Sequence, residues 1–229
     1  MVVLKQMKIL EVCNLTKKFH DSIVLENINI QVEKPEIVGI VGGNASGKSV
    51  LFKCITGLLL SEQGCVKIMG HDIKKDNKYS QEIGALIEYP AFIPNYTGYR
   101  NLLLLSLFSK KNIKEDIKSC MIELGLNPDE KKPLKNYSLG MRQKLGIAAA
   151  VMEKPKLILL DEPTNNLDQE SVIIIHDLIK KMKIENGSVV LMTSHNNDDI
   201  EILCDRIFEL KNGHLKERKK KDDNQFAKT

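Results

Sequence analysis

Up to residue 41 the apolar positions follow strand-like patterns. "ILEVCNL" (9–15) and "IVLENINIQV" (23–32) are short β segments, the second with alternation of period two, and "EIVGIV" (36–41) is almost continuously apolar. Alternation predicts strands with one buried face, whereas a continuous run predicts a strand covered on both faces, as in a parallel sheet. A glycine-rich loop then leads into a helical run, "KSVLFKCITGLL" (48–59), and "GCVKIMG" (64–70) and "EIGALI" (82–87) are further strand candidates. After about residue 90 the pattern changes. "RNLLLLSLFSKK" (100–111) reads as a helix, and "IKEDIKSCMIELGL" (113–126) places Ile113, Ile117, Met121 and Leu124 on one helical face, with Gly125 as a C-cap. A third helix is expected to begin near Ser138. Strand and helix then alternate: "KLILLDE" (156–162), a helix from about Gln169 to Lys183, "SVVLMTSH" (188–195), a helix near 197–204, and "RIFELKNG" (206–213).

Together these elements predict one α/β domain: a core of residues 1–90 and 151–215 built on a parallel sheet, an antiparallel β edge at the N-terminus, a helical subdomain at about 91–150, and a basic C-terminal tail at 216–229. No internal repeat and no long linker interrupts it. At 229 residues the chain can bury a full core. A net charge of +4 is too mild to argue for nucleic acid, and much of the excess sits in "KERKKK" (216–221), read as a solvated tail. The five cysteines are not at metal-binding spacing, which suits reduced thiols. The N-terminus lacks a signal-peptide pattern, and the longest apolar runs, such as "LLLLSLF" (102–108), are far short of the ~20 residues that span a bilayer. The expected location is cytoplasmic, so work at a membrane requires another chain to cross it.

Three motifs carry chemistry. "GGNASGKS", comprising Gly42, Gly43, Asn44, Ala45, Ser46, Gly47, Lys48 and Ser49, fits G-x-x-x-x-G-K-[ST] between a predicted strand and a predicted helix. Its small residues let backbone N–H groups wrap phosphates, Lys48 offers charge to the β- and γ-phosphates, and Ser49 offers a hydroxyl to Mg²⁺. The helix N-terminus adds its positive dipole end. In "LILLDEP" (157–163) Asp161 stands at the carboxyl end of a buried strand, the edge where α/β sheets bind ligands, and can hold Mg²⁺; Glu162 can accept a proton from the water that attacks the γ-phosphate. His195 closes another strand and is expected at the same edge, in contact with the γ-phosphate. These residues define a site for Mg²⁺ and ATP on a P-loop (RecA-like) ATPase core.

Across nearly its whole length the chain resembles the ATP-binding subunits of ABC transporters. "YSLGMRQK" (137–144) is similar to the family's signature motif, with Ser138 and Gly140 on its most informative positions. "NNLD" (165–168) resembles the D-loop, with Asp168 as its acid; Phe19 matches the aromatic that stacks on adenine, and His195 the switch histidine. The resemblance implies a head-to-tail dimer in which the signature serine and helix of one subunit close over the nucleotide on the other's P-loop. It also implies a multi-span permease as partner, a peripheral position on the inner face of the cell membrane, and no nucleic acid.

Some positions depart from the family pattern. Ala45 stands where glycine is usual and Gly43 where proline is common, and Leu139 and Met141 replace the usual glycine and glutamine of the signature. Glu88, in "LIEYPAF" (86–92), replaces a usual glutamine and is expected to meet both Mg²⁺ and the permease. That glutamate, followed by "NYTGYRNL" and "YSLGM", is similar to the bacitracin- and lantibiotic-resistance type of exporter. The alternative is a soluble ABC ATPase acting on ribosomes or nucleic acid. Such members generally carry two ATPase domains in one chain, or split the motifs with a long coiled coil. A regulatory module that scarcely hydrolyses is opposed by the intact Glu162 and His195.

Overall fold

The computed structural model describes residues 8–76, 82–88, 91–107 and 113–219. Strands β1 (Leu10–Phe19) and β2 (Ser22–Val32) form an antiparallel hairpin, and β4 (Gln63–Ile68) and β5 (His71–Asp72) extend it in the order β2-β1-β4-β5. This is the expected antiparallel edge. The second sheet contains β3 (Ile37–Val41), β6 (Ile83–Leu86), β7 (Leu157–Leu160), β8 (Val189–Thr193), β9 (Arg206–Lys211) and β10 (His214–Arg218), in the order β10-β9-β3-β8-β7-β6. Every neighbouring pair in it is parallel except β9 and β10.

Strand β7 is apolar at every position, and β8 at every position but its last, Thr193, because both faces are covered. In β7, Leu157 and Leu159 face the cluster shared with the antiparallel sheet and α1 (Lys48–Ile55), while Ile158 and Leu160 face the cluster shared with the later helices. Strand β8 repeats the division: Val189 and Leu191 point one way, Val190 and Met192 the other.

The helices of the second half of the chain are α2 (Gly98–Ser106), α3 (Lys114–Glu123), α4 (Leu139–Val151), α5 (Gln169–Asn186) and α6 (Asn197–Leu203). Ile113, Ile117, Met121 and Leu124 are all buried, as the helical spacing predicts, and Leu102 and Leu145 join them in one cluster. Gly125 follows the α3 C-cap with a φ of 70°, the left-handed turn that ends the helix. The first helix of the group starts two residues earlier than the sequence suggests, because Thr97 caps it by accepting from the N–H of Arg100. Residues 108–112, which include the rest of that expected helix, lie outside the described residues. Helix α4 reaches the sheet at β6: the Ala150 carbonyl lies where any Cβ at Gly84 would sit, so only glycine allows the approach.

One expectation needs correction. Lys216, Glu217 and Arg218 do not begin a solvated tail but form most of the edge strand β10, paired with Glu209, Phe208 and Ile207. The cause is the Asn212-Gly213 turn, whose two residues have φ of 50° and 79°, the left-handed pair that closes a tight hairpin.

Candidate functional site

Strands β3, β6, β7 and β8 run parallel, so the segments that follow them emerge at one edge of the sheet. That edge carries the Gly42–Ser49 loop after β3, Glu88 after β6, Asp161 and Glu162 after β7, and His195 after β8. The strand order places the β3 and β7 segments on either side of β8, the arrangement in which a parallel sheet presents a crevice to a ligand.

In the loop, Gly42 packs so tightly against the Leu210 carbonyl that a Cβ there would collide with it. Gly43 has open space around it, so a larger residue would fit. Ala45 and Gly47 have φ of 59° and 104°, and Gly47 hands the chain directly into α1. Asn44 and Ala45 are exposed at the tip, and Ser49 is half-buried in the first turn of the helix. Lys48 is only 7% exposed, and its ammonium donates to the carbonyls of Gly42 (2.9 Å) and Gly43 (3.2 Å). The Ser46 hydroxyl is buried and has no hydrogen-bond partner among the described residues. A buried orphan hydroxyl beside an ammonium and a helix N-terminus fits a phosphate oxygen.

At the end of β7, the Asp161 carboxylate accepts from the Thr193 hydroxyl at 2.7 Å through Oδ1, and the same hydroxyl accepts from the Glu162 N–H at 2.9 Å. Thr193 thus ties β8 to the acidic turn after β7. Glu162 has a φ of 52°, a strained conformation that its neighbours hold in place. Its Oε2 accepts from the His195 N–H at 3.1 Å. Its Oε1 is buried without a hydrogen-bond partner among the described residues, although His195 Nε2 lies 3.3 Å away. An unfilled carboxylate oxygen in such a place suits a proton acceptor. The Gln143 side chain, from α4, donates to the carbonyls of Glu162 (2.9 Å) and Pro163 (3.2 Å). Ser49 and Asp161 offer hard oxygen donors, the set that Mg²⁺ prefers.

Glu88 also has a left-handed backbone, φ 59°, and its side chain is 62% exposed; Oε1 lies 2.6 Å from the Lys53 ammonium on α1. Phe19 sits at the end of β1, 42% exposed, with the Lys17 ammonium 5.2 Å from its ring centre. The sheet bearing it touches the loop through Val24 and Leu25, the nearest neighbours of Gly47.

Ser138, Gly140 and Asp168 form a separate group. Ser138 is exposed and caps α4 by accepting from the Met141 N–H at 3.1 Å. Gly140 lies against Asn166 and Leu167, so the signature segment and the 165–168 loop are neighbours within one chain. Asp168 caps α5, and hydrogen bonds from Ser171 hold its carboxyl below its ordinary pKa. Thr193 and Gln143 were not singled out by sequence reasoning. The available signal was a polar residue ending an apolar strand, and an amide on the buried face of α4.

A family model described as ABC transporter matches residues 25–165. An uncharacterised ABC transporter ATP-binding protein, YybJ of Bacillus subtilis (strain 168), is 37% identical over 211 residues, 92% of this chain and 96% of that one. The bacitracin transport ATP-binding protein BcrA of Enterococcus faecalis is 36% identical over 91% of this chain and 68% of its own length. The lantibiotic transport ATP-binding protein SrtF of Streptococcus pyogenes is 32% identical over 86% and 85%. Among solved structures, a dimeric ATP-binding cassette in a post-hydrolysis state with ADP and Pi superposes with a TM-score of 0.84 at 26% identity, covering 93% of this chain and 99% of that one.

Proposed function

The chain belongs to the ABC transporter family as an ATP-binding subunit with ATPase activity, and on that premise we propose that it drives a separate multi-span permease that exports or removes a peptide antibiotic of the bacitracin or lantibiotic class. The observation that carries the reading is the convergence of the Gly42–Ser49 loop, Asp161, Glu162 and His195 on one sheet edge. The cargo class is drawn from the relatives' names and from Glu88, and the permease from the family. On this reading the subunit sits on the inner face of the membrane; among the described residues no helix is long and apolar enough to cross one.

In the proposed mechanism Phe19 stacks on adenine and residues 42–49 wrap the triphosphate through their backbone N–H groups. Lys48 turns from its loop carbonyls to the β- and γ-phosphates. Ser49, Asp161 and Glu88 would hold Mg²⁺, which when bound would neutralise charge developing on the phosphate oxygens. Glu162 takes the proton of the attacking water, and His195 contacts the γ-phosphate. A second copy of the subunit lays its Ser138 and Gly140 over the open side of the nucleotide, with Asp168 beside them, and so excludes water.

Tagged subunit purified from the membranes of its native cells tests this reading. Co-purification of a multi-span protein, together with bacitracin or lantibiotic susceptibility that rises in the Lys48→Ala strain, is the expected result. A subunit that captures no membrane protein and a susceptibility that Lys48→Ala leaves unchanged would overturn it.

A further inference from the structure

Asp199, near the start of α6, is 2% exposed, yet both of its carboxylate oxygens are engaged. Oδ2 accepts from the Thr164 hydroxyl at 2.6 Å and the Ser194 hydroxyl at 3.1 Å, and Oδ1 lies 3.0 Å from His176 Nε2 on α5. The His176 side chain is itself 12% exposed. Three donors from three segments offset the burial of the carboxylate.

What these donors flank matters more than their number. Thr164 lies two residues after Glu162, and Ser194 immediately precedes His195. The Ser194 hydroxyl also accepts from the Asn196 N–H at 3.0 Å. Both neighbours of His195 are therefore tied to Asp199, Ser194 directly and Asn196 through it. The peptide N–H between them, that of His195, is the one that donates to Glu162 Oε2. The apolar anchoring of α6 is supplied separately, by the buried Ile200 and Leu203.

We infer that Asp199 is a positioning residue for hydrolysis, a buried carboxylate that clamps the turn after Glu162 to the turn carrying His195 and thereby fixes the Glu162 carboxylate toward the attacking water. His176 completes the clamp by anchoring it to α5. The inference rests on the reading of Glu162 as the base.

The test compares Asp199→Asn, Thr164→Val and Ser194→Ala with wild type, and repeats Asp199→Asn in a Glu162→Gln background. Asp199→Asn is expected to lower kcat about ten- to a hundredfold while the KM for ATP stays within about threefold, the pattern of a misplaced rather than a missing group. Thr164→Val and Ser194→Ala are expected to lower kcat less, and in the same direction. In the Glu162→Gln background Asp199→Asn is expected to remove nothing further, because the group it positions is already gone. Equal losses in both backgrounds, or a raised KM with kcat intact, would overturn the inference. Should Asp199→Asn fail to fold, Ser194→Ala, which removes one donor without touching the buried charge, decides the matter by the same kcat comparison. Failure of the underlying reading is distinguishable, since Glu162→Gln alone would then turn over like wild type.

Discussion

The main-chain N–H of His195 donates to the Glu162 carboxylate across 3.1 Å, bridging the segments that leave two adjacent parallel strands. In β7 and β8 Leu160 pairs with Met192, so the residues just beyond them are held side by side by the sheet register. The two candidate groups for γ-phosphate chemistry are thus placed by backbone as well as by side chain. Glu162→Gln keeps the shape but weakens the proton acceptor. We expect ATP binding to survive and hydrolysis to fall by about 10²–10⁴-fold, the range for a positioned base. Parallel titration and single-turnover measurements check this; wild-type turnover in the variant would remove Glu162 from the role.

Ala45 adopts φ 59°, a conformation that costs an L-residue about 1–2 kcal/mol. Glycine avoids that strain but gains about 0.5–1 kcal/mol of freedom in the unfolded chain. Ala45→Gly is therefore expected to leave stability unchanged or raise it by up to about 1.5 kcal/mol. Ala45→Val, branched at Cβ, should lower it. Urea unfolding of both variants is the measurement, and a stability loss in Ala45→Gly would contradict the strain.

The lowered pKa of Asp168 gives its cap a pH signature. A group with a depressed native pKa contributes stability that is present above its ordinary value of 3.8 and is lost as the pH falls through the native value. Asp168→Asn keeps an acceptor for the Ser171 N–H without a titrating charge. The difference in Tm between wild type and Asp168→Asn should therefore shrink as the pH is lowered from neutral through that range. A difference that stays constant with pH would contradict the charge-assisted cap.

Glu88 pairs with Lys53 at 2.6 Å, so its charge has a partner on α1, the helix that follows the P-loop. Glu88→Gln exchanges one oxygen donor for another and is expected to keep hydrolysis by the isolated subunit within about tenfold. Its larger effect should fall on peptide resistance per ATP in the assembled transporter. ATPase and resistance assays run together on wild type, Glu88→Gln and Glu88→Ala separate the cases. Complete loss of hydrolysis in the isolated Glu88→Gln subunit would make Glu88 a catalytic group instead.

The parts of the fold that could be read in the sequence are those whose signal is local. "LILL" and "VVLM" are apolar throughout because the sheet is covered on both sides, and Ile113, Ile117, Met121 and Leu124 repeat at helical spacing because one face meets a core. The edge strand β10 was hidden by its charge: an edge strand buries little, and its Lys, Glu and Arg look like a tail unless the Asn-Gly turn before it is given weight. The site was legible at Gly42–Ser49 and Asp161–Glu162, where spacing encodes chemistry. Thr193, Gln143 and Asp199 were not, because their roles arise from contacts between segments about twenty to forty residues apart or closer, made only when the sheet forms.

The site proposed to be shared between two subunits is tested most directly by mixing two crippled subunits. Lys48→Ala removes the phosphate charge, and Ser138→Arg blocks closure over a partner's nucleotide while leaving ATP affinity of the monomer nearly intact. Each variant alone is expected to be inactive in hydrolysis. In a head-to-tail pair of one of each, the Lys48 of one chain faces the Ser138 of the other, and one site of the two is whole. An equimolar mixture should therefore recover up to about a quarter of wild-type ATPase activity, half the dimers being mixed and each carrying one intact site. A mixture as inactive as its components would contradict a site shared across two subunits.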